Sequence, residues 1–185
     1  MERQEALNLL HEYVKNENSI KHMLATEAIM RALAKHFNED ENVWGLAGLL
    51  HDIDMEIVDY RQTPEKQGAV GAEMLEKMGV DKIITNAIRA HNEATGKSRD
   101  NLIEKAIYCT DPLTGLIVAG TLVLPTKRMA DLSPPSVMNR FGEKSFARGV
   151  RREAIATCPE IGLTLEEFIK IGLGAMQGIA AELGL

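Results

Sequence analysis

The stretch Val43-Trp44-Gly45-Leu46-Ala47-Gly48-Leu49-Leu50-His51-Asp52-Ile53-Asp54 is apolar for the length of a short helix, then ends on a histidine and two carboxylates, with a third, Glu56, close behind. Val43, Ala47 and Leu50 recur at helical spacing, and Leu46 and Leu49 carry the apolar surface around most of the circumference. A helix with so little polar surface belongs in the centre of an all-α protein. Gly45 and Gly48 have no side chains to hold a neighbour away, so a second helix is expected to approach closely. A His and an Asp at the inner end of such a helix are costly to desolvate unless something satisfies them, and a divalent cation satisfies both. Adjacent helical side chains point about 100° apart, so the pair works on a metal only if the ion sits over the helix end. The alternative is that His51 and Asp52 merely finish the helix, the histidine against the dipole and the aspartate turning the chain.

Upstream, residues 2–14 predict a first helix with Ala6, Leu7, Leu10 and Val14 on one side, broken by Asn16 to Asn18. A second helix, capped by Asn18 or Ser19, is expected to run to about Phe37 with His22, Ala25, Ile29, Leu33 and His36 in one stripe. His36 lies roughly 21 Å beyond His22 along that helix, too far to share a site with it. The central helix should span about 41–51. Downstream, Pro64 at a first-turn position starts a helix carrying Ala69, Ala72, Met74, Leu75 and Met78 and closed by Gly79. Asp81 caps the next, whose stripe Ile84, Ala87, Ile88 ends on His91. After a loop from Asn92 to Arg99, Leu102, Ile103, Ala106 and Ile107 mark a helix expected to end near Thr110-Asp111-Pro112. The apolar run Thr114 to Leu124 is expected to form a separate buried helix. Beyond Pro125, Pro134 and Pro135, a basic helix is expected from Ser136 to Arg152, and a last amphipathic one from Thr164 to Leu183, with Thr164 and Glu167 as its capping box.

With 185 residues, 45% hydrophobic and 26% charged, the chain can bury a core as one domain, residues 1–185. A net charge of -6 argues against general nucleic-acid binding, so an anionic substrate must be met by local positive charge. Cys109 and Cys158, the only cysteines, are expected as buried neutral thiols without a disulfide. Met1-Glu2-Arg3-Gln4-Glu5 has no apolar signal core and no apolar run reaches membrane-spanning length, which predicts a cytoplasmic protein with no membrane partner.

The inward polar residues are then His22, His51, Asp52, His91 and Asp111, each at or near the end of an apolar helical face. Imidazoles with carboxylates are the ligand set of Mn, Fe, Co, Ni or Zn rather than of a soft thiolate site. Asp111 before Pro112 would serve equally as a helix N-cap, and His91 as a helix-end histidine. The order of these residues resembles the HD-domain metal-dependent phosphohydrolase superfamily. Leu49-Leu50-His51-Asp52-Ile53 is similar to its central motif, and Ser19-Ile20-Lys21-His22 to the helix that bears its first histidine.

The resemblance covers about residues 18–120. It implies an all-α core of about five helices, with residues from about 121 to 185 as a helical extension. It also implies one divalent ion (Mn, Fe, Co, Ni, Zn or Mg) on His22, His51, Asp52 and Asp111, with His91 and Asp54 in catalytic or outer-layer roles. No organic cofactor is implied. Asp54 stands where the motif often has glycine, and could serve as an outer-layer carboxylate or as a helix-end cap. In Glu65-Lys66-Gln67-Gly68, Gln67 stands where two-metal branches place a histidine, and it is a poor ligand. Asp54, Glu56, Glu73 and Glu93 are the candidates for the glutamate that one-metal nucleotidases use near the motif.

The activity implied is hydrolysis of a phosphate ester or anhydride, of a nucleotide or another small phosphorylated metabolite, by a metal-activated water. The rivals are a two-iron oxygenase, which Gln67 opposes, and a non-catalytic signalling or binding module of the same fold. Two groups of cations are candidates for the substrate's phosphate. Lys66, Lys97 and Arg99 lie in loops that flank Gln67 and His91, while Arg140, Lys144 and Arg148, with Arg152, recur every four residues along the expected basic helix.

Overall fold

Glu2 and Glu5 exchange side-chain and backbone hydrogen bonds in a capping box that starts α1 (Arg3–Tyr13) of the computed structural model, which describes residues 1–185. Asn16 accepts from the N–H groups of Asn18 and Ser19 and begins α2 (Glu17–Phe37), so the cap falls two residues before the expected Asn18. Asn38 closes α2 in the left-handed region, and Asp40 caps α3 (Glu41–Leu50) by accepting from Asn42 and Val43. Trp44 through Leu50 are all buried, which makes α3 the central helix. A Cβ on Gly48 would lie 2.9 Å from the Glu27 Cα, so only glycine lets the α2 and α3 backbones meet. The buried Glu27 carboxylate binds both Arg3 and Arg31 and ties α1 to α2.

Pro64 opens only a single 3-10 turn, Pro64–Lys66, and the helix expected from it begins later as α4 (Ala69–Lys77). Gly68 intervenes at φ 81°, a conformation that other residues rarely adopt. Asp81 caps α5 (Lys82–Ala90) as expected. α6 (Leu102–Leu122) is one helix where two were expected, and it runs straight through Pro112. Proline inside a helix removes the bond to the carbonyl four residues earlier and costs about 3 kcal/mol. Burial on both sides outweighs that cost, because Ile107, Leu113, Leu116 and Ile117 are fully buried. Asp111 therefore lies in mid-helix with no N-terminus to cap.

The basic helix expected from Ser136 to Arg152 stops early. α7 (Pro134–Gly142) ends at Gly142, residues 144–150 are turns or a bend, and Arg152 opens the short α8 (Arg152–Ile155). The Arg152 guanidinium donates to the carbonyls of Arg140, Phe141, Glu143, Phe146 and Ala147, which holds this segment in a non-helical shape. Arg140, Lys144, Arg148 and Arg152 thus form no common stripe. The expected last helix is likewise interrupted at Ile179, giving α9 (Leu165–Gly178) and α10 (Ala180–Leu183), while the Thr164–Glu167 capping box is present.

α2, α3, α5 and α6 pack around one another, α4 packs on α5, and α7, α8 and α9 pack on α6, with α9 also against α2. Apolar residues from Ala6 to Leu183 join one buried cluster, and the fold contains no strand. Cys109 and Cys158 are buried and unpaired, and burial pushes the Cys158 thiol up to about 11. No helix is long and apolar enough to cross a membrane.

Candidate metal centre

α3 ends at Leu50, and the chain continues in turns closed by bonds from Ile53 N–H to the Leu50 carbonyl and from Met55 N–H to the Asp52 carbonyl. This change of direction separates the three acidic side chains that follow. Asp52 faces the interior histidines. Asp54 turns to the start of α4, where one oxygen accepts from the Gly68 and Gly71 N–H groups at 2.8 and 2.7 Å. Glu56 accepts from Lys15 and Asn16 N–H and fastens the joint between α1 and α2. Of the two roles open to Asp54, the geometry gives it that of a cap, contributed from outside the helix. Its burial raises its pKa, and the Gly71 and Gly68 N–H groups pull the other way.

Three imidazoles converge beside Asp52, and each is anchored through its Nδ1. His51 Nδ1–H donates to the Gly48 carbonyl at 2.8 Å, and His91 Nδ1–H to the Ile88 carbonyl, so each is held by its own helix. The Thr114 hydroxyl donates to the Asp111 carbonyl at 2.8 Å, which leaves its oxygen to accept from His22 Nδ1–H at 2.9 Å. All three Nε2 lone pairs are thereby directed inward, the tautomer that metal ligation needs.

His22 Nε2 and His51 Nε2 stand 3.1 Å apart, a separation that needs either a shared proton or a cation between them. Asp52 Oδ2 lies 3.8 and 3.5 Å from these nitrogens, and Asp111 Oδ1 lies 3.2 and 4.0 Å from them. Ligands about 2.1 Å from one ion stand roughly 3.0–3.5 Å apart when adjacent, so small adjustments would bring His22, His51 and Asp52 onto a single divalent cation. His22, His51 and Asp52 form the tight group, with donor atoms all within 4.8 Å, and Asp111 joins it from the side. Burial lowers the His22 pKa, but the hydrogen bond and charge of Asp111 outweigh it and raise the value. Burial drives His51 down to about 4, which keeps it neutral. Burial would raise both aspartates, yet the histidines hold Asp52 and Asp111 well below the usual carboxylate range.

Gln67 stands on the other side of Asp52. Its carboxamide nitrogen donates to Asp52 Oδ1 and to His91 Nε2, the latter at 3.1 Å. These are the two lone pairs that a second ion would use, and the amide satisfies both.

A polar cleft of about 390 Å³, lined by Tyr60, Pro64, Gln67, His91, Asn92, Asp111 and Arg151, opens onto the centre. A larger cavity of about 530 Å³ touches it only through His22 and Thr114 and is otherwise walled largely by residues such as Ala25, Val118, Leu122 and Leu183. None of the cations nominated from sequence lines either cleft wall facing the centre. Lys66 is exposed, and Lys97 is bound to Glu104 at 3.2 Å and to the Ser98 carbonyl. Arg99 lies over the Tyr108 ring at 3.8 Å. Arg140 pairs with Glu143, and Lys144 and Arg148 project from the turns after Gly142. The cation that does reach the centre is Arg151, whose Nη2 donates to Asp111 Oδ2 at 2.8 Å. No periodicity marks it, because it belongs to a non-helical segment.

Comparison with protein families matches residues 19–115 to the HD domain, from the helix of His22 to four residues beyond Asp111. The chain belongs to the HD domain family, whose members are generally metal-dependent hydrolases. Among curated proteins it is similar to Ribonuclease Y of Opitutus terrae, at 33% identity over 79 residues, which is 42% of this chain and 14% of that protein. Ribonuclease Y of Borreliella burgdorferi matches at 33% over 88 residues, 47% of this chain and 17% of the relative. Ribonuclease Y of a Sulfurovum species matches at 26% over 144 residues, 74% and 27% of the two chains. The chain thus spans little more than a quarter of these relatives at most. No solved structure matches it.

Proposed function

We propose that this chain is a phosphohydrolase that holds one divalent ion on His22, His51, Asp52 and Asp111 and cleaves a phosphate ester or anhydride of a nucleotide or other small metabolite. The observation that carries the proposal is the convergence of inward Nε2 lone pairs on two ionised carboxylates beside an open polar cleft. A divalent ion there supplies an acidified water and positive charge for the phosphoryl oxygens.

The chain's own groups do the rest. Gly48 and Thr114 fix the ligand tautomers, so the site is formed before substrate arrives. Asp52 and Asp111 remain ionised and can accept a hydrogen bond from the attacking water and orient it. His91 borders the cleft, and although burial lowers its pKa, the hydrogen bond and charge of Asp52 raise it overall. Once protonated at Nε2, which would displace the Gln67 amide from that atom, it would be placed to give a proton to the leaving oxygen. Gln67 occupies the position that a two-iron oxygenase would need for its second ion, which favours hydrolysis over that rival. A pure binding module would have no use for four such groups brought together at a largely buried point.

RNA, the substrate in the relatives' name, presents the same phosphodiester chemistry. A net charge of -6 and a cleft with a single lining cation favour a small substrate instead. The test is phosphate release from a panel of nucleotides and phosphorylated metabolites with Mn, Co, Ni, Fe and Mg in turn. Turnover of at least one compound that disappears on chelation is expected. Metal-loaded protein inert toward the whole panel would refute the proposal.

A further inference from the structure

Arg151 spends one donor on Asp111 and keeps the others free. Its Nη2–H meets Asp111 Oδ2, while Asp111 Oδ1 faces His22, so the guanidinium stands one carboxylate away from the metal position. Its Nε–H and Nη1–H groups have no partner in the protein, and the side chain, 35% exposed, lines the cleft with Gln67, His91 and Asn92. It is nevertheless held in place. Arg152 beside it is bound by five backbone carbonyls, and the Arg151 carbonyl accepts from Ala154 and Ile155 to start α8. The guanidinium also lies 5.5 Å from the ring of Tyr108, one turn before Asp111 on α6.

We propose that Arg151 and the metal position form a clamp for a single phosphoryl group, with substrate oxygens shared between the ion and the edge of the Arg151 guanidinium that Asp111 leaves free. The proposal rests on the phosphohydrolase reading above and adds the residue that grips the substrate. Guanidinium suits this role because its donors form a rigid fork matched to phosphate oxygens. Charge sets the class of substrate. A divalent ion and Arg151 bring three positive charges against the carboxylates of Asp52 and Asp111, and no second cation lines the cleft. That surplus suits a monophosphate rather than a polyphosphate chain.

The test is calorimetric titration of the metal-loaded full chain with inorganic phosphate and with tripolyphosphate, for the wild type, Arg151→Gln and Arg151→Lys, with metal content measured for each. The clamp predicts wild-type metal content in both variants and phosphate binding weakened about tenfold or more in Arg151→Gln, less in Arg151→Lys. It also predicts that tripolyphosphate binds the wild type no more than about tenfold tighter than phosphate. Unchanged phosphate affinity in Arg151→Gln overturns it. So does metal lost from both variants in step with phosphate affinity, since Arg151 would then only orient Asp111, and so does a strong preference for tripolyphosphate. Phosphate bound through Arg151 by a protein that hydrolyses no phosphorylated compound would refute the hydrolase reading and leave the clamp standing. Hydrolysis with phosphate affinity indifferent to Arg151 would do the reverse.

Discussion

Gln67 satisfies with one amide group two lone pairs, on Asp52 Oδ1 and His91 Nε2, that would otherwise face each other across a gap suited to a cation. The native site should therefore bind close to one metal ion per chain. Gln67→His removes the donors and supplies a ligand, so elemental analysis of that variant should approach two ions. A variant still limited to one would show that something other than Gln67 sets the stoichiometry. At this scale His22, His51, Asp52 and His91 were legible because each ends or interrupts an apolar helical stripe, where a polar side chain has to be explained. The two roles open to Asp54 could not be separated, since its partners are the backbone N–H groups of Gly68 and Gly71, which leave no trace in side-chain pattern. Arg151 was invisible for a related reason. In a segment without a period, neighbours in sequence give no indication of direction, and the four-residue recurrence singled out Arg148 and Arg152 instead.

Among the elements, the contact of α2 with α3 places His22 beside His51, and it depends on Gly48. A methyl group there would meet the Glu27 and Thr26 backbone at 2.9 Å, with no flexible side chain to move aside. Gly48→Ala should destabilise the fold by about 1–3 kcal/mol, read from chemical denaturation, because two helices must separate. Stability equal to wild type would mean that the contact is looser than these distances state. The close approach was legible from the glycines alone. The continuity of α6 was not, because a proline after a short polar turn signals a boundary locally, and only the burial of Leu113, Leu116 and Ile117 shows why the helix persists. That continuity matters to the site. It carries Asp111 and Thr114 on one rigid helix, so the carboxylate and the hydroxyl that orients His22 keep a fixed spacing.

Taken whole, the molecule brings α2, α3, α5 and α6 together at one buried polar centre, while the segment beyond residue 115, outside the family match, adds Arg151 to its rim. Metal binding should accordingly stabilise the entire fold. At an ion concentration of about 100 Kd the gain is about 2.7 kcal/mol, or roughly 5–10 °C in Tm for a chain of this size. Calorimetry with and without chelator checks this, and a Tm indifferent to metal would count against a preformed site. The all-helical class could be recognised from period and caps alone, since every predicted helix overlaps an observed one. The bounds after Gly142 could not, because the Arg152 contacts that fix them join carbonyls whose pairing no sequence pattern encodes. The most direct test of the central claim is the metal content of Asp52→Ala, measured beside its phosphate release. Wild type with about one ion per chain and Asp52→Ala with a helical fold, little metal and no turnover is the predicted result, and an Asp52→Ala protein that keeps full metal and full turnover would contradict it.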